Sequence, residues 1–323
     1  MAKLIVVTGA AGFIGRNTVA ALNARGNDHL LLVDKLGMEE KWSNLLGLRF
    51  EDFIDPEEFK KRVEASGGNL GVDAIIHLGA CSATTERDAD FLLRNNYQYT
   101  RMLCEWSMTH GVRFIYASSA ATYGDGGKGY SDDDAVTPTL RPLNMYGYSK
   151  HMFDLWAMKN HLLGRIVGLK YFNVFGPYED HKGDMRSVVQ KSYHQIRRSG
   201  EVSLFKSYRP DYGDGEQKRD FIYVKDAVDV TLHFLDHRDR NGLLNCGTGE
   251  ARTWKDLALA VFAAMDAKPN IRFIEMPDGL REKYQYFTQA EVSKLRRAGY
   301  TKPFTRLEDA VRDYVRTYLA ARA

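Results

Sequence analysis

The stretch LIVVTGAAGFIG, residues 4–15, decides how the rest of the chain is read. LIVV is continuously apolar, as a strand buried on both faces must be. Phe13 then begins a helix pattern that runs to Arg25 and is closed by Gly26. Between strand and helix the glycines fall at 9, 12 and 15, a GxxGxxG spacing rather than GxGxxG. Gly9 permits a tight turn, Gly12 lets backbone N–H groups approach a pyrophosphate, and Gly15 lets the helix pack on the strand. The helix N-terminus adds positive potential where phosphates would lie. The alternative is a glycine turn that binds nothing, and the strand before it and helix after it weigh against that.

The apolar-run signal recurs in LLLV (30–33), AIIHLGA (74–80), RFIYASS (113–119) and RIVGLKYF (165–172). Helix-length segments such as 87–110 and 146–162 separate these runs. Apolar strands alternating with helices predict an α/β fold, a doubly wound parallel sheet covered on both faces (the Rossmann arrangement). After Asn173 the texture changes to loops, short helices and aromatics, and DFIYVKDAVDV (220–230) and LLNCGTG (243–249) read as a return to the sheet layer. The expected organisation is a dinucleotide-binding domain over 1–173 and 219–247, with a smaller α/β substrate domain over 174–218 and 248–323.

With 323 residues, 44% of them hydrophobic, the chain can bury one large core or two smaller ones. A formal charge of +3 gives no footing for a nucleic-acid partner. The apolar run in MAKLIVVTG is far shorter than a signal peptide's, and no run approaches the roughly 18 residues of a membrane span, so a soluble, cytoplasmic protein is expected. Cys81, Cys104 and Cys246 are widely spaced and read as reduced thiols, and the scattered histidines offer no metal-ligand spacing.

Asp34 ends the second apolar run, where a carboxylate can hydrogen-bond a ribose 2′-OH and favour NAD. Lys35 and Lys41 lie close by and could neutralise a 2′-phosphate, favouring NADP, so the residues leave the choice open. HLGACS (77–82) follows another strand and lets small residues pass beneath a cofactor. Tyrosine stands four residues before lysine at two places, Tyr146/Lys150 and Tyr178/Lys182. The first pair begins a helix pattern, so both side chains share a face. Upstream, YASSAATYG (116–124) brings Ser118 and Ser119 to a strand end, where ligands bind in such sheets. A tyrosine acting near neutral pH needs its pKa lowered by roughly 3 units, about 4 kcal/mol. One cation at about 4 Å in an effective dielectric near 20 supplies roughly that much, which makes Lys150 sufficient in magnitude. Ser119 is expected to hold the reacting oxygen near Tyr146. Tyr148, with Met152 four residues on, is expected to pack.

TGAAGFIG, YASSAATYG, NMYGYSK and KRDFIYVKDAVD together resemble the extended short-chain dehydrogenase/reductase superfamily, in its nucleotide-sugar branch. HLGACSATTE, NNYQYT, PLNMYGYSK, YFNVFGPYEDHKGDM and YQYFTQAEVSKLRRAGYTKPF are similar to one family within it, the ADP-L-glycero-D-manno-heptose 6-epimerases. That resemblance implies an NADP-dependent epimerase that inverts heptose C6 through a 6-keto intermediate. It also implies a role in lipopolysaccharide core biosynthesis and a homo-oligomer, a pentamer. Inverting an exocyclic carbon without moving the nicotinamide requires proton carriers on two sides. The resemblance assigns these to Tyr146 and to Lys182 of the HKG segment, with Tyr178/Lys182 a coincidence of spacing. Carried over by position, Gly9, Gly12, Phe13, Ile14, Gly15, Asp34, Lys35, Lys41, Leu78, Gly79, Ala80, Cys81, Ser82, Asn95, Lys150 and Val174 are cofactor residues. Ser119, Asn173, Lys182, Asp184, Lys191, Phe205, Lys206, Arg219 and Tyr284 are substrate-side residues. Arg219 suits a bidentate pyrophosphate contact. The sequence departs from the family's usual pattern at Pro56, Asp184 and Lys191, and its 206–217 segment is longer than in the shortest members. The competing readings are another nucleotide-sugar epimerase or reductase of the superfamily, and a non-catalytic redox-sensing NADP-binding protein.

Overall fold

The computed structural model describes residues 3–38, 40–281 and 284–322. Among them, seven parallel strands form the main sheet in the order β3-β2-β1-β4-β5-β6-β10. They are β1 (Leu4–Thr8), β2 (Leu30–Val33), β3 (Asp52–Ile54), β4 (Val72–His77), β5 (Arg113–Ser119), β6 (Val167–Tyr171) and β10 (Gly242–Cys246). Helix α1 (Phe13–Ala24) follows β1, α2 (Pro56–Ala65) precedes β4, and α3 (Ala89–Leu92) leads through a wide turn into α4 (Tyr99–Thr109). Helix α5 (Met145–Lys159) precedes β6. This is the doubly wound architecture that the glycine turn predicts.

Burial follows strand alternation. Val7, Leu32, Ile76 and Ile115 face one core, with Val19 and Leu22 of α1 and Leu232 of α7 (Val224–Asp236). Val6, Val33, Ile75 and Phe114 face the other, with Phe59 of α2, Leu103 of α4 and Phe153 of α5. Each such side chain contributes about 1.5–3 kcal/mol by leaving water, so a one-residue slip of any strand would forfeit the set.

The chain leaves the main sheet at Phe172 and enters β7 (Asn173–Phe175). β7 pairs in parallel with β9 (Lys218–Tyr223), which pairs antiparallel with β11 (Ala251–Thr253). The apolar run DFIY therefore does not rejoin the main sheet; it builds this three-stranded one, while α7 and β10 make the return. Helix α6 (Val188–Ser199), α8 (Trp254–Ala264) and a parallel pair, β8 (Val202–Phe205) with β12 (Ile271–Ile274), complete the outer layer. Tyr148 is 48% exposed, so it lies on the surface instead of packing. No helix of the described residues is long and apolar enough to cross a membrane, and the described residues hold no cluster suited to a metal ion.

Candidate active site

The chain runs from β1 out to β2 and β3 on one side, then returns to β4 and continues to β10 on the other. Crevices at such reversals are where open α/β sheets take ligands. Here the two strand ends are stitched together. Thr8 Oγ1 lies 2.7 Å from His77 Nδ1, and the Gly79 N–H donates to Thr8 Oγ1 at 3.0 Å. The close approach explains the glycines: a Cβ on Gly9 would fall 2.7 Å from the Gly79 nitrogen, and one on Gly15 only 2.0 Å from the Gly9 carbonyl oxygen. Asn96, fully buried, braces the same rim. Its amide accepts from the Cys81 N–H and donates to the Cys81 carbonyl, both at 2.9 Å.

A cavity of about 750 Å³ opens from this crevice. Gly9, Gly12, Phe13, Ile14, Gly15, Asp34, Lys41, the run Leu78–Ser82, Ser119, Tyr146, Lys150, Asn173, Val174 and Lys182 all line it. Its size and its backbone-lined glycine cradle fit a nicotinamide dinucleotide with a second ligand beside it. At the far edge Asp34 accepts from the Ala11 N–H at 2.9 Å and from the Lys41 ammonium at 2.7 Å. The fork between carboxylate and lysine foreseen in the sequence is thus an ion pair, able to present either charge to a ribose. Lys35 is exposed outside the cavity, and Asn95 turns its amide onto Asn96 at 2.9 Å.

Helix α5 starts where it does because the Asn144 side chain caps it, accepting from the Gly147 N–H at 2.8 Å. Gly147 allows the helix to touch the end of β5, since a Cβ there would lie 2.7 Å from the Ala121 carbonyl oxygen. This contact sets Tyr146 beside Ser119, both in the cavity wall, and the Ser119 hydroxyl favours the ionised phenol. The surrounding protein nevertheless pushes the Tyr146 phenol above its ordinary value, because burial outweighs the help from Ser119. Lys150 is buried, donates to the Ala117 carbonyl at 2.8 Å, and is pushed down to about 8, chiefly by burial, with Asp154 opposing. The expected lowering of Tyr146 by Lys150 is therefore not achieved by these two residues alone.

One helical turn beyond Lys150, Asp154 sits fully buried and accepts from the Tyr116 hydroxyl at 2.8 Å and the Ser118 hydroxyl at 2.7 Å. Lys170, also fully buried in mid-strand, pairs with it at 3.3 Å and donates to Thr122 Oγ1 at 2.7 Å. Sequence reasoning missed both. The signals were present: Asp154 lies four residues after Lys150, and Lys170 interrupts an otherwise apolar run.

Lys182 enters the cavity on the loop after β7, over Phe13, with its ammonium 4.9 Å from the ring centroid. Glu179 pairs with it at 3.6 Å. Tyr178 turns its ring away, to the Arg16 guanidinium at 3.8 Å and the Tyr318 ring. His181 meets Asn44 at 3.1 Å and is pushed down to about 4, mainly by burial and then by the Lys41 and Lys182 charges.

The remaining substrate-side residues lie beyond the cavity lining. Asp184 is exposed and its carbonyl accepts from Lys191 at 2.6 Å. Lys206 pairs with Glu275 at 2.6 Å. Phe205, Tyr284 and Arg219 form one group: the two rings meet edge to face at 6.4 Å, and the buried guanidinium stands 5.2 Å from the Tyr284 ring. Arg219 also stacks 5.6 Å from Trp254 and donates to the Gln285 carbonyl, and those two residues do line the cavity. A cation and aromatic faces bordering the cavity through Trp254 and Gln285 suit a nucleotide.

Residues 5–247 match the NAD dependent epimerase/dehydratase family. The chain is 56% identical over 318 residues, 98% of each chain, to an ADP-L-glycero-D-manno-heptose-6-epimerase of Nitratidesulfovibrio vulgaris. It is 47% identical, over 98% of each chain, to one from Fusobacterium nucleatum. The solved structure of the Helicobacter pylori ADP-L-glycero-D-manno-heptose-6-epimerase superposes with a TM-score of 0.80 at 26% identity, covering 97% of this chain and 95% of that one. A UDP-N-acetylglucosamine 4-epimerase from Methanobrevibacter ruminantium has the same fold, at a TM-score of 0.80 and 22% identity over 99% of each chain.

Proposed function

This chain belongs to the ADP-L-glycero-D-manno-heptose-6-epimerase family, within the NAD dependent epimerase/dehydratase family, and from that premise we infer that it interconverts the two C6 epimers of an ADP-linked glycero-manno-heptose. The observation that carries the reading to a mechanism is one cavity lined by Tyr146 with Ser119, by Lys182, and by the glycine cradle. A nicotinamide dinucleotide held by that cradle would supply a hydride acceptor that gives the hydride back within the same turnover. Gly9, Gly12 and Gly15 would let the backbone close around its pyrophosphate, the run Leu78–Ser82 would floor the site, and the Asp34–Lys41 pair would hold the adenosine ribose. NADP is the proposed form, with Lys41 answering the 2′-phosphate and Lys35 reinforcing it from outside.

The residue roles follow from proton demand. Oxidising the C6 hydroxyl to a ketone releases a proton, and reducing it from the opposite face requires one. Rotation about C5–C6 exchanges the carbonyl oxygen with the terminal CH₂OH, so two positions of that oxygen need a partner. Tyr146, steadied by Ser119 and facing the Lys150 side of the cleft, serves one; Lys182 serves the other. Because burial raises Tyr146, the phenol holds its proton until positive charge arrives beside it. Asn173 orients the sugar, and Arg219 with Tyr284 and Phe205 takes the ADP moiety. Residues 1–173 with 219–247 are proposed as the cofactor domain, and 174–218 with 248–323 as the substrate domain, although β9 belongs structurally to the small sheet. A cytoplasmic homo-oligomer, a pentamer, working toward lipopolysaccharide core is the proposed setting.

The test is to incubate the protein, without added cofactor, with ADP-D-glycero-D-manno-heptose and to resolve the C6 epimers. Both epimers should appear, with no net change in nicotinamide absorbance. Unchanged substrate, or absorbance rising with turnover as in a reductase, would refute the reading.

A further inference from the structure

Glu179 is fully buried, although its neighbour Lys182 keeps 23% of its side chain exposed to the cavity. A lone buried carboxylate is costly, and this one is held by an unusual convergence of donors. Its two oxygens accept from the Ser187 N–H at 2.7 Å, from the Ser187 hydroxyl and from the Tyr314 hydroxyl at 3.1 Å. Tyr314 comes from the C-terminal helix, 135 residues away, and Ser187 caps α6. Three separate segments are thus tied to one charge, and the open side of that charge faces the Lys182 ammonium at 3.6 Å.

We propose that Glu179 is the positioning residue of the second proton carrier: it fixes the Lys182 ammonium at the cavity end over Phe13 and sets the balance between its charged and neutral forms. This rests on the reading of Lys182 as that carrier. The physical need is specific. Burial lowers Lys182, the α6 residue Lys191 lowers it further, and among the groups facing it Glu179 opposes both. His181 and Arg186 flank it in the loop, while Ser187 and Tyr314 donate to the carboxylate. Without the carboxylate, burial and the Lys191 charge would push the lysine toward its neutral form unopposed, and its anchor would be gone. It could then accept a proton but would seldom hold one to give. Burial in turn raises Glu179 itself, and the Lys182 charge, then the Ser187 and Tyr314 donors, counter that in part.

The experiment uses the full chain with its retained cofactor. Glu179→Gln keeps the volume and removes the charge. The expected result is a fall in kcat of about 10–100-fold with KM and cofactor content near wild type, and a pH profile of kcat/KM moved at least about half a unit toward lower pH. Glu179→Asp keeps the charge on a shorter arm. It should lose at least about threefold in kcat while its profile stays on the wild-type one, and it carries the test alone if the glutamine variant fails to fold. A Glu179→Gln enzyme that slows without a moved profile, or a Glu179→Asp enzyme at full rate or with a shifted profile, overturns the proposal. Lys182→Met separates the two layers. If it turns over normally, the carrier reading itself falls; if it is dead while Glu179→Gln is unaffected, only this inference does.

Discussion

Asp154→Asn separates the support of the site from its chemistry. Asp154 and Lys170 are both completely shielded from solvent and lie 3.3 Å apart. Removing one partner leaves an ammonium buried without its counter-charge, a change that costs about 3–5 kcal/mol. Unfolding entropy of about 2.1 cal/mol/K per residue over 323 residues gives roughly 0.7 kcal/mol/K, so Tm should fall by about 4–7 °C. The same substitution removes the charge that holds Lys150 up against burial, so Lys150, already near 8, moves lower. The proposed role of Tyr146 needs a cationic Lys150 in the same cavity wall, and that charge is lost as pH rises through the Lys150 pKa. Activity at pH 8 should therefore suffer more than activity at pH 6.5.

The double variant Asp154→Leu with Lys170→Met replaces the pair by apolar volume and should recover most of the lost stability. It restores no charge near Lys150, so the pH-dependent loss should remain. Calorimetry and pH–rate profiles on the three proteins decide the matter. A single variant with wild-type Tm, or a double variant that recovers the alkaline activity along with the stability, would refute the reasoning.

Lys182→Met should lower epimerisation by at least about 100-fold while the protein still purifies with cofactor, and turnover near wild type would remove Lys182 from the mechanism. Gly15→Ala places a methyl 2.0 Å from the Gly9 carbonyl, so the turn must open and the cofactor should be lost on gel filtration, read by nicotinamide absorbance. Lys41→Ala should weaken NADP by about 10–100-fold and leave NAD affinity near wild type, measured by titration of the cofactor-stripped protein; equal loss for both would argue against a 2′-phosphate contact.

What the sequence makes legible is local. The glycine turn, the strand runs and the Tyr146/Lys150 helix face depend on spacings of a few residues, and all appear in place. DFIY reads identically whichever sheet it joins, because an apolar run specifies burial and not its hydrogen-bonding partner. Its membership of the small sheet follows from β7 and β11, which are three residues each and carry no periodic signal. The support of Lys182 is less legible still. Glu179 lies inside a recognised motif, yet its significance comes from Tyr314, brought by tertiary packing from the C-terminal helix. Phe13 shows the converse: its position marks it for the cofactor, and the fold also sets it beneath the Lys182 ammonium.

A two-carrier mechanism leaves the protein changed after each turnover. If Tyr146 accepts the proton and Lys182 gives one, the hydride ends where it began, but the proton has moved from one wall of the cavity to the other. The next turnover in the same direction must wait for that exchange to be undone. The forms competent for the two directions are tautomers with equal proton number, so kcat/KM in both directions should trace one pH profile. Deuterium at C6 should return to C6, while the hydroxyl proton equilibrates with water. Lys182 is suited to the resetting step: part of its side chain reaches solvent, and the anchored charge of Glu179 draws a proton back to it. The catalytic demand for reversal and the buried carboxylate behind the loop thus have a single physical explanation: a proton carrier that must be emptied in one step needs a fixed charge to refill it before the next.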